Sequence, residues 1–131
     1  MLGVGELAIS DHRSSQPTID ELLRVAADAH VGGLMSGKAG IVHLHVGDGA
    51  RGLDLVRQAI ETSELPAAMF HPTHVNRRKA LFDEALALAQ RGCTIDLTAF
   101  PVAEGENAWS AADGLVPVSY THLTLPTIYS V

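Results

Sequence analysis

Residues Gly40-Ile-Val-His-Leu-His-Val46 decide how the rest of the chain is read. The run is apolar apart from two histidines at alternate positions, and Gly37, Gly40, Gly47 and Gly49 bound it. A short apolar run between turn signals predicts a buried strand. Alternation places His43 and His45 on one face and Ile41, Val42, Leu44 and Val46 around them, so the strand is covered on both sides, as in a parallel sheet flanked by helices.

Upstream, Gly32-Gly-Leu-Met-Ser-Gly-Lys-Ala39 fills seven positions of the phosphate-loop pattern G-x-x-x-x-G-K-[ST], with Ala39 at the position of the Mg²⁺-holding hydroxyl. The segment also leaves a helix and enters a strand, the reverse of the order that pattern needs. It reads as a helix-terminating loop. The helix before it is marked by Pro17, by the capping-box spacing of Thr18 and Glu21, and by Ile19, Leu22, Leu23 and Ala26 along one face; Gly32 and Gly33 are placed to end it. Before that, residues 3–10 predict another strand running into the polar loop Ser10-Asp-His-Arg-Ser-Ser15. Downstream, Leu55, Val56, Ala59 and Ile60 form a helical face stopped before Pro66, and residues 67–74 form a third strand with Pro72 near its end. Leu81, Phe82, Ala85, Leu86 and Ala89 form a third helical face ending at Gly92, and residues 93–98 form a fourth strand. Strand and helix thus alternate about every 30 residues, the signature of βαβ units. Periodicity leaves an open doubly wound sheet and a (β/α)₈ barrel equally available.

Composition narrows the partners. Of 131 residues 47% are hydrophobic and 18% charged, as in an ordinary globular protein of about one domain. A net charge of −6 with scattered basic residues argues against nucleic acid as a partner. No apolar run approaches the roughly 20 residues that span a bilayer, and the start lacks signal-peptide order, so the expectation is a cytoplasmic protein without a membrane partner. The single cysteine, Cys93, excludes an internal disulfide or a multi-cysteine zinc module and is expected to be a buried, inert thiol.

Both parallel architectures build sites at the C-terminal edge of their strands. Three strands carry metal-ligand side chains there or nearby: Glu6 on the first, His43 and His45 on the second, His71 and His74 on the third. Imidazole and carboxylate are the usual donors of a catalytic zinc site. Arg13 and Arg77 stand beside these candidates and suit bidentate pairing with a substrate carboxylate.

The segments Gly5-Glu-Leu-Ala-Ile-Ser-Asp-His-Arg-Ser14, Val31-Gly-Gly-Leu34, His45-Val-Gly-Asp48, Pro72-Thr-His-Val-Asn-Arg77 and Thr94-Ile-Asp-Leu97 together resemble the isoaspartyl dipeptidases of the amidohydrolase superfamily. The resemblance implies a fragment of a (β/α)₈ TIM-type barrel, about its strands 4 to 7, from an enzyme that hydrolyses beta-aspartyl dipeptides at two zinc ions. It further implies that His45 and His74 ligate one zinc. Glu6 stands where many members have a carbamylated lysine and would be the bridging carboxylate. Arg13 and Arg77 match the arginines that hold the dipeptide's α-carboxylate. The full-length enzyme is expected to be a homo-oligomer.

The first-strand His-x-His and the eighth-strand acid/base aspartate of the family have no counterpart in this chain, so no catalytic residue is expected within it and the fragment alone is expected to be inactive. Residues 1–114 are read as a partial amidohydrolase barrel. Residues 115–131, uncharged and without helical period, resemble translated sequencing-adapter DNA and are expected to be a non-native tail. Alternative readings are another amidohydrolase, dihydroorotase-like or phosphotriesterase-like, a non-catalytic α/β binding module, or a purely structural role.

Overall fold

The structure, a computed structural model, describes residues 2–121 and 128–130. Its elements alternate along the chain: β1 (Gly3–Ile9), α1 (Ile19–Ser36), β2 (Ile41–Val46), α2 (Asp54–Thr62), β3 (Phe70–Thr73), α3 (Lys79–Gln90), β4 (Ile95–Leu97), α4 (Ala111–Thr121) and β5 (Ile128–Ser130). A single 3₁₀ turn, Ala67–Met69, leads into β3. All ladders are parallel, so the α/β reading with helices between parallel strands holds.

The strands form one sheet in the order β1-β2-β3 and a second made of β4 and β5. A single continuous series of four strands is therefore not formed. Pro72 offers no N–H at the end of β3, and β4 has only three residues, so loop contacts do the joining. The Val75 amide donates to the Asp96 carbonyl at 3.4 Å. Asn76, fully buried, donates from Nδ2 to the carbonyls of Thr98 at 2.9 Å and Trp109 at 2.8 Å and accepts the Thr98 amide at Oδ1.

Val42, Leu44, Val46, Phe70, Ile95 and Leu97 meet Leu22, Ala26, Val56, Leu81, Phe82 and Ala85 from the helices in one buried core. His43 and His45 occupy the alternate positions of β2 and lie on the sheet's other, open face, where they are only partly buried.

One sequence expectation, the end of α1, is corrected. α1 runs through Gly32 and Gly33 and stops at Gly37, whose φ of +69° is the left-handed cap. Gly33 serves close approach instead: a Cβ there would lie 2.7 Å from the Gly40 backbone, so α1 could not seat against the start of β2. The stretch beyond Leu115 also has regular structure. The Ser110 hydroxyl accepts the Asp113 amide and starts α4, which continues across residue 115 with Pro117 inside it. Residues Ile128–Ser130 then pair with Ile95–Leu97.

Candidate metal centre

Glu6 comes from the middle of β1, where the ladder is irregular. Val4 pairs with Val42 and Leu7 with Leu44, so Gly5 and Glu6 together stand opposite His43. Such a bulge re-aims a side chain. Glu6 Oε1 lies 3.7 Å from His45 Nδ1 and 3.9 Å from His74 Nε2.

His45 sits near the end of β2, paired with Ala8 on one side and Thr73 on the other. His74 is the first residue past β3 and holds φ at +64°, a left-handed conformation that costs a non-glycine residue on the order of 1 kcal/mol. The Thr98 hydroxyl, just past β4, hydrogen-bonds His74 Nδ1 and thereby turns Nε2 toward Glu6. The two imidazoles meet edge to face, centroids 4.6 Å apart. Burial, then the neighbouring His45 and Arg77, lower the His74 pKa and favour the neutral ring, the form that ligates a metal.

One donor atom each from Glu6, His45 and His74 lies within 4.8 Å of the others. Ligands about 2.1 Å from a tetrahedral zinc ion stand about 3.4 Å apart, so small side-chain movements close this group on a cation. A carboxylate and two imidazoles are also the donor chemistry zinc takes. The residues fit the metal.

Arg13 and Arg77 line one cleft of about 230 Å³ together with Asp11, His12, Asp48 and Gly49. Arg77 Nη1 is 4.0 Å from Asp48 Oδ1. Arg13 donates from Nε and Nη2 to the two carboxylate oxygens of Asp11, at 3.1 and 2.8 Å. That guanidinium and the Arg13 amide hold the Asp11 carboxyl well below the usual carboxylate range. The loops carrying these residues are tied at Gly49, whose carbonyl accepts from Ser10 Oγ at 2.8 Å and from Arg78 Nη2 at 3.1 Å.

The histidines further from the edge stay outside the cluster. His43 Nε2 faces Asp96 Oδ2 at 3.6 Å, and His71 Nε2 contacts the Ala68 carbonyl at 3.1 Å. Thr98, Asn76 and Asp11 are the site residues that sequence reading missed. Asp11 alone left a signal, since it lies two positions before Arg13 in the loop after β1.

No family model matches the chain. Its fold superposes with a TM-score of 0.87 on the crystal structure of the beta-aspartyl dipeptidase of the thermophilic, keratin-degrading Fervidobacterium islandicum AW-1 in complex with a beta-Asp-Leu dipeptide; the two are 46% identical over 98% of this chain and 33% of that one. A second crystal structure of the F. islandicum enzyme gives the same TM-score at 48% identity, over 98% of this chain and 34% of that one. The chain matches one third of a beta-aspartyl dipeptidase. The resemblance read from the motifs is borne out, and with it the fold class: the chain's alternating parallel strands and helices match a segment of a TIM-barrel dipeptidase, and the open sheet is what a segment shows.

Proposed function

We propose that this chain is the metal-binding and carboxylate-binding segment of a zinc-dependent dipeptidase that cleaves beta-aspartyl dipeptides. The observation that carries the reading is the convergence of Glu6, His45 and His74 beside a cleft lined by Arg13 and Arg77, in a chain 46% identical to a dipeptidase crystallised with beta-Asp-Leu. The residues named in this reading all lie within residues 3–114.

In this reading His45 and His74 would hold one of two zinc ions, and Glu6 would be the bridging carboxylate in place of a carbamylated lysine. Bound zinc supplies a Lewis acid for the scissile carbonyl and lowers the pKa of water toward neutrality. The Glu6 carboxylate would offset part of the cationic charge there. Arg13 and Arg77 pair with the dipeptide's α-carboxylate, which holds the scissile bond over the metal centre and removes rotational freedom before reaction. The proton for the leaving amine would come from the eighth-strand aspartate that the family resemblance implies, which residues 3–114 do not supply.

The test is an exchange. Residues 3–114 replace the matching segment of the F. islandicum dipeptidase, and hydrolysis of beta-Asp-Leu is followed with zinc present. Turnover that Arg13→Ala and Arg77→Ala each depress mainly through KM supports the reading. A folded, zinc-loaded hybrid that leaves beta-Asp-Leu intact, or cleaves a dihydroorotate or phosphotriester instead, contradicts it.

A further inference from the structure

We propose that Asp11 is a positioning residue that couples the metal centre to the substrate's carboxylate anchor: it holds the Arg13 fork with both oxygens and places one of them against His45 Nε2. The inference rests on the reading of His45 as a metal ligand and Arg13 as a substrate-binding group.

The Asp11 side chain is 3% exposed, although it sits in a loop at the edge of the sheet. A carboxylate this deep is stable only with partners on its oxygens. Oδ1 accepts the Arg13 amide at 2.9 Å and Nε at 3.1 Å, and Oδ2 accepts Nη2 at 2.8 Å. His45 Nε2 lies 3.4 Å from Oδ2, and the exposed His12 Nδ1 lies 3.4 Å from Oδ1. The two nitrogens of His45 therefore face different groups: Nδ1 looks at Glu6, and Nε2 looks at both Asp11 Oδ2 and Arg13 Nη2, each 3.4 Å away.

That division has a chemical consequence. With a cation at Nδ1 the proton of His45 sits on Nε2, where Asp11 Oδ2 is the acceptor within reach, since Arg13 Nη2 can only donate. Oδ2 also accepts Nη2 while Oδ1 accepts Nε, so the carboxylate as a whole holds the Nε/Nη2 edge of the Arg13 fork and leaves Nη1 for a second carboxylate in the cleft. Moving Asp11 would disturb a ligand and an anchor at once. Space for it is provided by Gly47, where a Cβ would fall 2.5 Å from both Asp11 Cβ and Oδ2.

The experiment uses the 131-residue chain and cobalt(II) chloride as probe, titrated by visible absorption, with the Arg13 Nε–H resonance followed by ¹⁵N NMR. Asp11→Asn is expected to weaken cobalt binding by about 10- to 100-fold and to move the Arg13 signal to the position and fast water exchange of a free arginine. Gly47→Ala, which displaces the carboxylate without removing its charge, is expected to shift both readouts the same way.

A folded Asp11→Asn chain with unchanged cobalt affinity and an unchanged Arg13 resonance overturns the inference, and loss of cobalt in Glu6→Gln would show that the metal reading survives it. A parent chain that takes up no cobalt overturns both. In the F. islandicum hybrid described above, Asp11→Asn is expected to raise KM for beta-Asp-Leu along with weakening cobalt. A fall in kcat with KM and cobalt affinity unchanged contradicts the coupling.

Discussion

His74 shows how one residue depends on a neighbour that no motif announces. It is held past the end of β3 in a left-handed conformation, with Thr98 on Nδ1 and Glu6 before Nε2. Thr98→Val keeps the size of the side chain and removes the hydroxyl, so zinc affinity should fall by about tenfold or more while the fold persists. Competition against a chromogenic chelator reads this, and undiminished affinity would deny Thr98 its orienting role. Cys93 gives a second residue-scale expectation. Its thiol is buried, donates to the Phe70 carbonyl at 3.0 Å, and burial pushes its pKa up to about 12. Iodoacetamide at pH 8 should leave the native chain unmodified and label it after denaturation. Because the unfolded thiol ionises near 9.0 and the folded one near 12, this group contributes stability below pH 9 that is lost as pH rises toward 12. The residues legible in sequence were those whose chemistry is unusual on a strand, namely Glu6, His45 and His74. Thr98 and Asn76 were not legible, because a threonine and an asparagine near turns have many ordinary uses and their roles depend on contacts across 22 residues of chain or more.

Among the elements, α1 is the one whose start was fully written in sequence. Thr18 Oγ1 accepts the Glu21 amide at 3.2 Å, and Glu21 Oε1 accepts the Thr18 amide at 3.0 Å, which is the reciprocal capping box. Thr18→Ala should cost about 1 kcal/mol, seen as a lowered denaturant midpoint. The Thr18 amide, and then its hydroxyl, lower the Glu21 pKa from 4.5. That contribution is present above pH 4.5 and is lost as pH falls through the lowered folded value, so the Thr18→Ala difference should shrink in acid. A difference constant down to pH 3 would contradict the box. The end of α1 was misread because a glycine that stops a helix and one that lets it pack look alike in sequence; the distinction lies in Gly40 approaching Gly33. α4 was missed for a related reason. Gly114 and Pro117 lower intrinsic helix propensity, but Ser110 caps the first turn and Trp109 and Ala111 pack against the core. Phe82, fully buried in α3, should cost about 3–5 kcal/mol when cut to alanine, measured by urea unfolding.

For the whole molecule, alternation of strands and helices was legible and closure was not. Periodicity fixed the parallel arrangement but left an open sheet and a barrel equally available, and the split between β3 and β4 depends on Pro72 and a three-residue strand. Among the described residues β1 pairs only with β2, so its outer edge presents free backbone groups, and Leu2, Leu34 and Met35 are exposed. The isolated chain should self-associate as its concentration rises in sedimentation velocity, and a monomer at every concentration would contradict that. The most direct test of the central claim, that Glu6, His45 and His74 are one metal site, is calorimetric titration of zinc into the chain and into Glu6→Gln, His45→Ala and His74→Ala. One zinc per chain in the parent, with each substitution weakening it while His71→Ala does not, is the expected result. Equal zinc binding by all four proteins, or loss in His71→Ala alone, would contradict the claim.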